Sequence, residues 1–108
     1  MRTIIFNLIL IHGLIHLMGF VKAFELAEIS ELTLTISRTW GLFWLAAALT
    51  LVTAGVLWLM EIDTWWIVAI TGVILSQILV FVYWQDARFG TIPNVIIIMI
   101  LIAGFLRH

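Results

Sequence analysis

Four stretches of the chain, residues 3–21, 39–60, 64–85 and 89–106, contain no aspartate, glutamate, lysine or arginine and run for 19, 22, 22 and 18 residues. An α-helix rises about 1.5 Å per residue and the hydrocarbon core of a bilayer is roughly 30 Å thick, so each stretch matches one membrane crossing. The pattern predicts an all-α protein: an integral membrane four-helix up-down bundle in a single transmembrane domain spanning residues 1–108. The helices are expected at about 3–24, 39–60, 64–85 and 91–106. Residues 1–21 lack a clear small-residue cleavage site and carry His12, His16 and Asn7, so they read as a retained helix rather than a leader.

Tryptophan sharpens the boundaries, because an indole is amphipathic and settles where lipid meets water. Trp40, Trp44 and Trp84, with Tyr83, fall toward one face of the predicted bundle, and Trp58, Trp65 and Trp66 toward the other. All six are expected to act as interface anchors. The connection between the first two helices, residues 25–38, is the longest and holds Glu25, Glu28 and Glu31. Its first half has the composition of a short amphipathic helix. Further on, Leu32, Leu34 and Ile36 alternate with Thr33, Thr35 and Ser37 as in a strand, although no ladder partner is evident. An interfacial, partly extended segment is expected, with Thr39 capping the second helix. Residues 61–63 leave room only for an antiparallel turn. Gly90 and Pro93 mark the third connection, with Thr91 as the expected cap and the proline tolerated in the first helical turn. The last crossing is the shortest, and residues 89–92 or local bilayer thinning must complete it.

Composition agrees. Hydrophobic residues make up 65% of the chain and charged residues 10%, against about 25% charged in soluble domains, and the mean hydropathy is +1.26. A net charge of −1 offers no basic surface, so nucleic acid is not an expected partner. The absence of cysteine removes disulfides, thiolate metal sites and a cysteine nucleophile. Lys22, Arg38 and Arg88 stand on one face against Arg2 and Arg107 on the other, an excess that the terminal amine cancels, so the charges leave the orientation open with only a lean to termini outside the cytoplasm.

His12 and His16 are the candidate chemistry. Spaced i, i+4 near the middle of the first crossing, they share one helical face, and ionisable groups inside a membrane are expensive. Gly19 and Ala23 continue that face. Ser76 and Gln77 supply polar groups deep in the third crossing, and a contact between the first and third helices would use both sets. Asn7, Thr50, Thr53 and Thr71 are further hydrogen-bond partners to consider for the histidines. The pair is also a weak metal candidate. A catalytic zinc takes three protein ligands, and the remaining histidine, His108, falls at the terminal side. Two imidazoles on one helical face cannot clamp both sides of one haem, which would need a histidine from a second subunit. No cofactor is therefore expected, and interhelical hydrogen bonding is the preferred role.

Residues 86–94, Asp-Ala-Arg-Phe-Gly-Thr-Ile-Pro-Asn, resemble the first aspartate motif of the prepilin peptidases. That family's second aspartate lies in a Gly-x-Gly-Asp motif, which this chain lacks, and Glu61 and Asp63 are expected on the opposite face. Proteolysis is set aside. A longer resemblance runs through residues 12–24 (His-Gly-Leu-Ile-His-Leu-Met-Gly-Phe-Val-Lys-Ala-Phe), 74–79 (Ile-Leu-Ser-Gln-Ile-Leu) and 86–94. These strings are similar to the membrane region of uncharacterised bacterial four-helix integral membrane proteins, some of which continue into a soluble domain. The resemblance implies a four-helix module in the bacterial cytoplasmic (inner) membrane and implies no activity.

The functional expectation is a binding or scaffolding module, not an enzyme, whose partners are the lipid bilayer and a second copy or another membrane protein. A small-solute or proton-linked transporter using the His12/His16 face comes second. The small multidrug transporters match in size, but the glutamate of their first crossing has no counterpart here. A metal- or haem-binding membrane protein comes third.

Overall fold

The computed structural model describes residues 1–30 and 32–106 of the chain. Glu31, Arg107 and His108, which entered the acid count, the charge comparison and the search for a third ligand, lie outside the described residues. Four helices are long and apolar enough to cross a membrane: α1 (Arg2–Ala23), α2 (Arg38–Leu59), α3 (Trp65–Val82) and a helical run, Trp84–Leu106, at the end. The last comprises a single turn α4 (Trp84–Ala87), a 3₁₀ turn (Arg88–Gly90) and α5 (Thr91–Leu106). The all-α, membrane-spanning bundle expected from the charge-free stretches is what forms. Residues 89–92 are helical and lengthen the short fourth crossing. The third helix stops earlier than expected, at Val82, because Tyr83 leaves helical geometry at φ −112° and ψ 40°.

Helices α1 and α2 end alike. The amide of Leu26 donates to the Val21 carbonyl and that of Glu25 to Lys22; Ile62 and Glu61 repeat the pattern onto Leu57 and Trp58. These are Schellman motifs, which need a left-handed residue just past the helix. Glu25 and Glu61 fill that position at φ 56° and 59°. Glycine usually does so, since a side chain there costs about 1–2 kcal/mol.

The first connection contains no amphipathic helix among its described residues. Its alternating part forms no strand and bends at Leu34, and side chains pair backbone groups that a ladder would have paired. Lys22 Nζ donates to the carbonyls of Leu32 and Leu34. The Asp86 carboxylate accepts from the amides of Thr33 (2.8 Å) and Leu34 (2.7 Å) and from the Thr33 hydroxyl (2.6 Å). Ser37, not Thr39, caps α2, accepting from the Trp40 amide at 3.3 Å. Thr91 likewise does not cap with its side chain, because it begins α5 directly after the 3₁₀ turn and its hydroxyl accepts from Gln77.

α2 packs against both α1 and α3, and α5 closes the bundle against α3 and α1. Close approach rests on small residues, as lipid-embedded packing requires. Gly41, Ala47, Ala48, Ala54 and Gly55 form the buried side of α2. A methyl group on Gly13 would sit 3.0 Å from Val52 Cγ2, and one on Gly72 would sit 2.9 Å from Leu51 Cδ2. Two apolar clusters result. Ile9, Leu51, Ala54, Val73, Ile97 and Leu101 fill the half near the N-terminus; Ala23, Ile36, Trp44, Ala47, Leu79 and Tyr83 fill the half near the long connection. The outer surface is aliphatic, with Ile4, Leu49, Ile67, Phe81 and Met99 exposed where lipid tails would lie.

At the N-terminal end Arg2 pairs with Glu61 at 3.4 Å, donates to the Trp58 carbonyl and lies 4.7 Å over the Trp58 ring. Trp58 Nε1 donates back to the Arg2 carbonyl at 3.1 Å. This exchange joins the start of α1 to the end of α2.

Gly19 faces the Trp44 ring so closely that an added methyl would overlap it. Gly19→Ala should therefore destabilise the bundle by about 1–3 kcal/mol in denaturant unfolding. Gly104→Ala, where nothing lies within 4 Å, should change it by less than about 0.5 kcal/mol. Equal effects would contradict this packing.

Candidate functional site

Between the two apolar clusters lies a layer of polar side chains. His12 and His16 of α1, Ser76 of α3 and Asn94 of α5 are all buried. With no water in a bilayer core, each polar atom must find a protein partner or carry a cost of several kcal/mol. The layer meets this demand in a directed order. The His12 carbonyl can only accept, so His16 Nδ1 donates to it at 2.7 Å and a neutral His16 presents a bare Nε2. Ser76 Oγ donates to that nitrogen at 2.8 Å. Asn94 Nδ2 donates to Ser76 Oγ and to Gln77 Oε1, both at 3.0 Å, and Asn94 Oδ1 accepts from His12 Nε2 at 2.7 Å. Gln77 Nε2 then donates to the Thr91 hydroxyl at 3.2 Å.

The helix positions explain the convergence. α1 turns Ile9, His12, Gly13, His16, Gly19 and Ala23 inward, the single stripe expected from i, i+3, i+4 spacing. His16 reaches Ser76 across the bundle, so the contact between the first and third helices is made by these side chains. Ser76 and Gln77 meet α5 at Asn94 and Thr91. Of the other partners considered, Thr50 and Thr71 bond to their own helices at Ala46 and Ile67, and Asn7 and Thr53 are exposed.

Trp44 departs from the expected girdle. It is only 4% exposed and lies inside the bundle, 5.4 Å from the His16 ring and 5.7 Å from the Tyr83 ring. Two facts account for this: the residue sits well inside α2, which begins at Arg38, and Gly19 opens a slot for the indole on α1. Trp44 Nε1 is the only fully buried side-chain nitrogen or oxygen without a hydrogen-bond partner among the described residues. The remaining tryptophans lie toward helix ends, with Trp66 and Trp84 exposed and Trp40, Trp58 and Trp65 half-buried.

A cavity of about 290 Å³ adjoins the polar layer, running from a rim at Asp86 and Leu32 past Phe89, Gly90 and Pro93 to His12, His16 and Trp44. A second groove of about 270 Å³, between α1 and α5, shares His12, Ile15 and Pro93 with it and is otherwise lined by Leu8, Ile11, Ile92 and Ile96. Asp86 is the one charged side chain lining either space. Among the described residues no three histidine, aspartate or glutamate side chains converge to hold a metal. Nε2 of each buried imidazole already bonds to an uncharged partner.

Asn94 is a site residue that sequence reasoning did not assign, and Trp44 is one that it assigned to the membrane interface instead. Asn94 had a signal, being the only amide in α5 among side chains that are otherwise nearly all apolar. Trp44 had none, since its burial depends on Gly19 across the helix interface. Comparisons with protein families, curated proteins and solved structures find no match to this chain.

Asn94→Leu should cost about 1–3 kcal/mol in unfolding, because it strands His12, Ser76 and Gln77 together. Thr71→Val, which removes only a bond within its own helix at an exposed position, should cost under about 0.5 kcal/mol. Comparable losses would mean that the polar layer does not hold α1, α3 and α5 together. At the cavity rim, Asp86→Ala should speed hydrogen exchange at the Thr33 and Leu34 amides at least ten-fold and leave the Ile97 amide unchanged. Unaltered exchange at those two amides would contradict the carboxylate clasp.

Proposed function

We propose that this chain is a small membrane-embedded binding module that takes one uncharged amphipathic molecule into the cavity between α1, α2 and the α3–α5 corner. The observation that carries the reading is the cavity of about 290 Å³, whose largely apolar wall, with Trp44 in it, reaches the polar layer at His12 and His16. Apart from His12 Nδ1, the polar layer is paired internally, which supports a preformed recognition surface over a catalytic one. Binding is favoured over proton-linked transport for the same reason, since His16 and Asn94 have their hydrogen bonds committed within the bundle. The resemblance of residues 12–24 and 86–94 to bacterial membrane proteins supports a bacterial membrane as the setting.

Native mass spectrometry of the purified chain tests this. One small-molecule adduct per chain should survive delipidation, and Ala87→Phe, which fills the cavity at its rim, should remove it without lowering the melting temperature. Adducts in variable number, unaffected by Ala87→Phe, would sink the proposal.

A further inference from the structure

We infer that the outer face of α1 is a dimerisation surface on which a second copy of this chain docks in parallel, with Asn7 of each copy hydrogen-bonded to Asn7 of the other. This face points away from the polar layer and stands independently of any ligand in the cavity. Ile4, Asn7, Ile11, Leu14, Met18 and Val21 are spaced alternately three and four residues apart, and none of them belongs to the buried stripe of α1. Ile4 is 67% exposed, Ile11 54% and Leu14 46%, and Asn7 is exposed among them. Such a 3.5-residue repeat keeps one seam facing a partner helix over several turns.

Asn7 selects the occupant. Lipid tails cover an aliphatic strip well, but this amide lies about 7.5 Å along the helix from Arg2, which meets Glu61 and Trp58 at the membrane surface, and at that depth hydrocarbon offers it no hydrogen bond. Its side chain makes none among the described residues. A threonine so placed can turn its single proton onto its own helix, as Thr50 and Thr71 do toward Ala46 and Ile67. A carboxamide carries two donor protons and an acceptor, and across a two-fold axis it donates to its twin and accepts in return. Copies of one chain insert with one topology, so two α1 helices run parallel and their Asn7 side chains meet at the same depth. Ile4 and Ile11 take the first position of successive heptads and Leu14 the fourth, the combination that favours two strands, and a lone asparagine in such a seam fixes its register. Charge does not oppose the contact, since all six seam residues are uncharged and Arg2 is engaged by Glu61 of its own chain.

The chain has no cysteine, so single introduced cysteines report contacts between copies of the full chain in phosphatidylcholine liposomes. After a short copper-phenanthroline oxidation, Leu14→Cys should give a disulfide-linked dimer. Leu49→Cys, 59% exposed on the outer face of α2, should stay monomeric at the same protein-to-lipid ratio. Adding Asn7→Leu to the Leu14→Cys chain should raise the ratio needed for half cross-linking at least ten-fold, and Asn7→Gln, which keeps the amide, should restore most of the loss. Because Asn7 bonds to nothing in its own chain, Asn7→Leu should leave the melting temperature of the detergent-diluted monomer unchanged, which separates lost association from lost folding. A fall in that temperature would overturn the placing of Asn7 outside the fold. Equal cross-linking from Leu49→Cys, as random collision gives, would overturn the assignment of the face. Monomers at every ratio would mean that lipid or a different membrane protein covers the strip, and undiminished dimers of the Asn7→Leu chain would overturn the pairing of the two amides.

Discussion

Asn94 is the point on which three helices depend. From one side chain on α5 it donates to α3 twice and accepts from α1 once, in a region where no water is available to take over any of those bonds. In a soluble bundle the same contacts would compete with solvent and contribute little. Within a bilayer, helix association lacks a hydrophobic driving force, and packing and interhelical hydrogen bonds carry it instead. α2 completes the arrangement by the other means, presenting glycine and alanine so that α1 and α3 come close. The bundle thus joins a tightly packed pair of interfaces to a polar seam, and the cavity lies beside that seam.

The wet end of the molecule obeys the same accounting of backbone polar groups. Residues 32–34 form no strand, yet Lys22 takes two of their carbonyls and Asp86 two of their amides, so four backbone polar groups are paired without a sheet. One charge of each sign, from the end of α1 and from α4, substitutes for a sheet. Asp86 in this way both fixes the connection and sets the sign of the field at the cavity entrance.

The crossings were legible because the cost of a charge in hydrocarbon writes itself into the sequence as charge-free runs of matching length. The inward stripe of α1 was legible from helical spacing, and Ser76 and Gln77 stood out as polar groups at depth. Other features depended on contacts that no local pattern encodes. The Schellman ends at Glu25 and Glu61 lack the glycine that would signal them. Ser37 displaced Thr39 as cap because the helix starts two residues earlier than one capped by Thr39 would, a shift that either residue type allows. Trp44 followed the composition of an anchor, but its place is decided by Gly19, 25 positions away in the chain. Asn94 sat in plain view within an aspartate-to-asparagine string whose peptidase likeness drew attention to the wrong end, since Asp86 is committed to the backbone of residues 33 and 34.

The long separations in the polar seam bear on how the protein is made. His12 meets Asn94 across 82 positions and His16 meets Ser76 across 60. During synthesis α1 enters the membrane with both imidazoles far ahead of their side-chain partners. Only the His16 bond to the His12 carbonyl can form within α1 itself. The glycine-lined pairing of α1 with α2 needs nothing from later segments, so it can shelter the histidine face while α3 and α5 are still being threaded. Insertion of the last crossing then delivers the asparagine that closes the seam. Biogenesis of this bundle would accordingly run in two stages, a tight hairpin first and a polar lock afterwards, with the nascent hairpin as the species most in need of protection from unwanted partners in the bilayer.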